Sequence, residues 1–212
     1  MARRHHAAVL FVALLSFAGL GSLTATRAVA EVNPGYDRTA AVNWALENAQ
    51  DSQGASGLCT WFVSNALWAG GLPQAPDWQQ GTYDATHVQG LVNYLEANYS
   101  VSWTDITSDL TTNAVPQAEL GDIIVYSWHG DGTLDHMAFV DGFASGDYPE
   151  VSEWGQFNFI PDVWDYLFNP SSPYVDRGWT YSGVNGKWLQ VVYPGMKAYL
   201  LHINGGFFTP TF

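Results

Sequence analysis

Residues 56–71 read Ser56-Gly57-Leu58-Cys59-Thr60-Trp61-Phe62-Val63-Ser64-Asn65-Ala66-Leu67-Trp68-Ala69-Gly70-Gly71. Cys59, Phe62, Val63, Ala66 and Leu67 recur at the spacing of one face of an α-helix. Ser56 offers an N-cap, and Gly70-Gly71 followed by Pro73 offers a stop. The pattern leaves Cys59 at the N-terminal end of the buried stripe. There, backbone N–H groups without intrahelical partners and the positive end of the macrodipole favour thiolate over thiol.

Upstream, Asp37 can cap a helix running to about Gln50, with Val42, Ala45, Leu46 and Ala49 on one stripe. Downstream, Thr86 starts a third helix with Val88, Leu91, Val92 and Leu95 inward. After Asn98 the character changes to short strands, with candidates at Ile123–Trp128, His136–Phe143, Glu150–Trp154, Trp188–Tyr193 and Tyr199–Ile203. Helices first, then strands joined by tight turns, predict an α+β fold in which N-terminal helices pack on an antiparallel sheet.

Arg3 and Arg4, the apolar run Ala7–Leu20 and the small-residue site Ala28-Val29-Ala30 read as a signal peptide over residues 1–30. A secreted, extracellular protein with no membrane contact after cleavage is the expectation. Residues 31–212 then form a single domain, long enough for a core without disulfide staples. The formal net charge is −13, and it becomes more negative when Arg3, Arg4 and Arg27 leave with the signal. Such a surface repels nucleic acid and anionic lipid, so neither is an expected partner.

Cys59 is the only cysteine, so it has no internal disulfide partner, and outside the cell an idle thiol is a liability. A lone buried cysteine is often an inert small hydrophobe. A nucleophilic one needs a base, and the base needs an orienting group. His136 opens the strand His136-Met137-Ala138-Phe139-Val140, and alternation groups it with Ala138 and Val140, a face that can turn it toward the helix. Antiparallel pairing of the next strand can bring Glu153 beside His136 to accept its second ring N–H. Cys59, His136 and Glu153 are therefore the candidate catalytic residues.

Leu58-Cys59-Thr60-Trp61-Phe62-Val63-Ser64-Asn65 resembles the cysteine segment of the CHAP family (cysteine-histidine amidohydrolase/peptidase). Leu120-Gly121-Asp122-Ile123-Ile124-Val125-Tyr126 is similar to its Gly-Asp strand, and Val151-Ser152-Glu153-Trp154 to the segment supplying its acid. Trp128–Ala138, with Asp135-His136 at its heart, and the opening Tyr36–Val42 resemble the related bacterial putative amidase domain. The resemblance covers residues 36–155 and leaves 156–212 as an aromatic-rich C-terminal extension. It implies a papain-like fold and cleavage of an amide bond through Cys59 and His136, with Glu153 as the third residue. It also implies a peptide or peptidoglycan-type substrate. Leu58 and Trp61 stand where the amidase-type pattern usually has an acid and an asparagine, Gly155 where CHAP domains often have an asparagine, and Trp154 where amidase-type members tend to carry histidine. A catalytically silent, aromatic-rich module binding glycan or peptide on the same scaffold is the rival expectation. Acyl transfer to an amine shares the first half-reaction with hydrolysis.

Asp131 and Asp135 around Gly132 resemble a fragment of a calcium loop, although a tight turn accounts for them equally well. His87, His129 and His202 lack metal-ligand spacing, so neither metal nor cofactor is expected. Trp164, Tyr166, Trp179, Tyr181, Trp188 and Tyr193 can pack on short strands or line a groove.

Overall fold

The computed structural model describes residues 35–49, 58–144, 146–154, 177–182 and 187–207. The predicted signal segment, the Ser56 cap, Trp164 and Tyr166 lie outside the described residues.

The fold is α+β. Helix α1 spans Arg38–Asn48, α2 Leu58–Ala69, α3 Tyr83–Thr86 and α4 Val88–Asn98. Strands β1 (Tyr99–Asp105), β2 (Ile123–Ser127), β3 (His136–Ala144), β4 (Tyr148–Ser152), β5 (Arg177–Gly178) and β8 (Lys197–Phe207) form an antiparallel sheet of order β1-β8-β2-β3-β4-β5. A separate ribbon pairs β6 (Tyr181–Ser182) with β7 (Lys187–Trp188), and a helical turn, α5, follows at Leu189–Val192.

Local chemistry explains the helix ends. Asp37 accepts from the Ala40 N–H at 3.0 Å and caps α1. At the far end of α2, Leu72 N–H bonds to Leu67 C=O at 3.2 Å and Gly71 N–H to Trp68 C=O at 2.9 Å, a Schellman closure. The closure holds Gly71 at φ +90°, where a side chain would be strained.

The helices cover one face of the sheet and bury Val42, Ala45, Phe62, Val63, Ala66, Leu67, Leu91 and Leu95 against Ile123, Val125, Met137, Phe139, Leu201 and Ile203. On the opposite face Ile124, Tyr126, Ala138, Val140, Val151 and Leu200 pack with Ile106, Leu110 and Trp179. With both faces covered, β2 is buried throughout, which explains its unbroken Ile-Ile-Val-Tyr-Ser run.

Several expectations need correction. Leu46 is exposed and not part of the α1 stripe, which buries Ala41 instead. The third helix is preceded by a separate turn, α3, broken at His87 with φ −123° and ψ 134°. Trp188–Tyr193 is only a strand end and then a helical turn. Tyr99–Asp105, unpredicted, is an edge strand whose Val101 and Trp103 pack under the helices. Part of the C-terminal extension belongs to the sheet itself, because β8 lies between β1 and β2.

One polar cluster ties α1 to the sheet. The Arg38 guanidinium meets Asp122 Oδ1 at 2.7 Å, Leu120 C=O at 2.7 Å and Ile203 C=O at 2.9 Å. His202 Nδ1 lies 2.9 Å from the same carboxylate oxygen. The other oxygen of Asp122 accepts the Glu119 N–H at 2.8 Å. Burying this ion pair is tolerable because the surrounding carbonyls and N–H groups satisfy both charges.

Candidate active site

Cys59 is the second residue of α2, so its backbone N–H lies in the first turn, where amides have no partner within the helix. Helix α2 packs against β3, which brings its N-terminus to the strand's beginning. The thiol is buried, with 5% of the residue exposed. The His136 side chain and the Met137 N–H act on its sulfur and lower the thiol's pKa, and Thr60 Oγ1 lies 3.8 Å from it.

His136 reaches the helix by a route that alternation does not describe. Ala138 and Val140, which share its parity, pack on the face away from the helices, whereas Met137 and Phe139 face them. Strand parity therefore turns His136 away from α2. Because His136 is the first residue of β3, its ring lies at the end of the sheet, where the sulfur can approach it.

The β3–β4 ladder pairs Phe139 with Ser152 and Val140 with Val151, so Glu153 continues alongside the start of β3. Its Oε2 is bonded to His136 Nε2. The next side chain points the other way: Trp154 contacts Trp44 and Phe62 at centroid distances of 6.0 and 5.3 Å and donates its Nε1–H to Asn48 C=O at 2.9 Å. Anchoring Trp154 in the helix layer holds Glu153 on the histidine side. With Nε2 engaged by the carboxylate, Nδ1 is the ring nitrogen left for the sulfur.

Sequence reasoning missed an aromatic wall behind the imidazole. The Trp128 ring stacks on His136 at 5.4 Å and 26°, and Tyr193 stacks on Trp128 at 4.7 Å and 19°. Tyr126 lies 5.7 Å from the imidazole. The hairpin fixes the wall: Trp128 N–H donates to Asp135 Oδ2 at 2.8 Å and Asp135 N–H to Tyr126 C=O at 2.8 Å. Asp131 accepts the Thr133 N–H at 2.9 Å, so both carboxylates of the presumed calcium fragment brace this turn. Trp128 next to the Gly-rich turn was the available signal. The long-range partner Tyr193 had none.

The electrostatics favour charge separation. Burial pushes the Cys59 thiol up, but the charge and hydrogen bond of His136 and the Met137 N–H outweigh it and leave the pKa below the usual 9.0. Burial pulls His136 down, yet the Glu153 carboxylate and the Cys59 sulfur raise it from 6.5 to about 10. The thiol is lowered and the imidazole raised, a bias toward charge separation with the Glu153 carboxylate behind the ring and 13% of the His136 side chain exposed. Such a pair can attack an electrophilic carbon and return a proton to a leaving group.

Elsewhere, His87 stacks on Tyr83 at 4.2 Å and His202 belongs to the Arg38–Asp122 cluster. Trp179 is buried and donates to Asn113 C=O at 2.9 Å. Among the described residues no helix is long and apolar enough to cross a membrane.

A family model described as a putative amidase domain matches residues 35–160, a span that includes Cys59, His136 and Glu153. No curated protein and no solved structure gives a significant match.

Proposed function

Because the chain belongs to the putative amidase domain family, we propose that it is a secreted, cysteine-dependent amidohydrolase or peptidase on a papain-like scaffold. The observation that carries this reading is the continuous contact from Cys59 through His136 to Glu153.

In this mechanism the Cys59 thiolate adds to an amide carbonyl, and the Cys59 backbone N–H at the start of α2 helps hold the oxyanion. Imidazolium His136 gives its proton to the departing amine as the C–N bond breaks, leaving a thioester. Neutral His136 then takes a proton from water as the water attacks the thioester; collapse releases the carboxylic acid and the Cys59 thiolate beside imidazolium His136. Glu153 holds the ring with Nδ1 toward the sulfur and supports its positive charge. The resemblance to cell-wall amidases favours a peptide amide in bacterial wall material, and the acidic chain suits soluble fragments.

Two measurements test this. Cys59→Ala abolishes turnover while its melting transition stays close to wild type; hydrolysis by that variant at the wild-type rate would remove the thiol mechanism. Iodoacetamide alkylates Cys59 rapidly near neutral pH, and an unreactive thiol combined with saturable glycan binding would favour a silent binding module. Export is tested separately by N-terminal sequencing of protein recovered from the medium, which should begin at Glu31.

A further inference from the structure

A second feature lies at the same end of the sheet. Val125 pairs with Tyr199 on one side and Met137 on the other, so these three residues form a row across adjacent strands. At roughly 4.8 Å per strand, Tyr199 lies about 10 Å from Met137, whose N–H acts on the Cys59 sulfur. A groove of about 390 Å³ opens there. Its walls are Gln89 and Glu96 of α4, Trp103 of β1, Tyr199 of β8, and Gly132 and Leu134 of the hairpin that leads into His136.

We propose that this groove is a substrate subsite for a protonated primary amine carried about 10 Å from the scissile carbonyl. The proposal rests on the amidase reading and names a class of substrate for it. Three observations support it. Among the described residues Glu96 is the only acid lining the groove and no basic side chain lines it, so a carboxylate or phosphate would meet repulsion without compensation. The indole N–H of Trp103 donates to Glu96 Oε1 at 2.6 Å, and the ring meets Tyr199 edge-on at 5.9 Å. This fixes a carboxylate beside an aromatic face, a pairing that suits an ammonium through both charge and cation–π attraction. Gln89 directs its amide nitrogen to Asn93 Oδ1 at 2.8 Å, leaving its carbonyl oxygen as a further acceptor.

Leu134 stands two residues before His136 and packs against the helix-side core, so one hairpin borders the groove and leads into the histidine. An extended peptide covers about 10 Å in three residues, so the amine belongs on a side chain three positions from the cleaved bond. A net charge of −13 steers such cationic substrates inward.

The test is binding to Cys59→Ala protein, which needs no catalysis. Acetyl-capped peptide amides bearing lysine, norleucine or glutamate at that position are titrated calorimetrically. The lysine peptide is expected to bind about tenfold more tightly than the norleucine peptide, with the glutamate peptide weakest. E96Q, at an exposed helical position, should reduce the lysine preference to about twofold or less. Trp103→Phe, which keeps an aromatic face but loses the donor to Glu96, should reduce it partially. Equal affinity for lysine and norleucine peptides, or a lysine preference that survives E96Q, would overturn the subsite. So would tight binding of neutral chitotriose that displaces the lysine peptide and ignores E96Q. Wild-type protein that hydrolyses no amide would sink the amidase reading without altering these affinities, so the two failures are distinguishable.

Discussion

Replacing Glu153 with glutamine keeps the size and hydrogen-bonding reach of the side chain while removing its charge. In the wild-type protein His136 is held at about 10 against burial, with the Glu153 carboxylate the largest upward influence. Exchanging a charge-assisted hydrogen bond for a neutral one at a buried site gives up about 1.5–3 kcal/mol, or roughly one to two pKa units. The sign follows from which form is lost. In the proposed mechanism imidazolium is the proton donor in acylation, so lowering its pKa removes activity from the alkaline side. The kcat/KM profile of Glu153→Gln should therefore lose its alkaline limb one to two units below the wild-type position, with roughly a 2–10-fold deficit at about pH 9, a 10–100-fold deficit only above the wild-type limb, and almost none at about pH 6.

Stability should follow the same charge. A raised histidine pKa contributes fully below 6.5, and the contribution fades as pH rises through about 10. Below about pH 9 the lowered Cys59 thiol works in the opposite sense, so the wild-type melting temperature should decline chiefly between about pH 9 and 10, and the glutamine variant should decline less there. An alkaline limb that stays near pH 10 in Glu153→Gln, or a deficit equal at every pH, would refute the claim that the carboxylate acts through the charge on His136.

Trp128→Ala removes the ring stacked on His136 and should lower kcat about tenfold with little change in KM, whereas Trp128→Phe should recover most of that loss; steady-state kinetics with both variants decides. Asp122→Ala leaves the buried Arg38 guanidinium without its carboxylate and should cost about 3–5 kcal/mol in urea unfolding. The alkylation rate of Cys59 in the surviving native fraction should be nearly unchanged.

Much of this layout is legible in the sequence because it is local. Asp37 caps its helix through a bond three residues away, and the Cys59–Leu67 stripe closes on a glycine that the chain announces. The β2–β3 hairpin declares itself through apolar runs around a Gly-Asp-Gly turn. His136 and Glu153 meet because consecutive antiparallel strands pair, a relation the intervening turn permits. What escaped depends on distant contacts. β1 reads as a polar stretch until Val101 and Trp103 find the helices, and Tyr193 joins the wall only by stacking on Trp128, far away in sequence. The alternation argument reached a correct neighbour by an incorrect face, since it ignored that the first residue of a strand can reach around the end of the sheet. No sequence period reports Arg38, Asp122 and His202 converging from three separate elements.

The position of β8 has a consequence for biosynthesis. The last strand of the sheet in chain order, β8, is wedged between β1 and β2, so a nascent chain carries Cys59 long before a finished platform. Until β8 emerges, the sheet stops at β2-β3-β4-β5, and the strand that joins β1 to it is missing. At roughly 5–20 residues per second, the interval between Cys59 and Lys197 lasts on the order of ten seconds. In the last part of that interval Cys59, His136 and Glu153 all exist without the strand that completes the sheet beneath them.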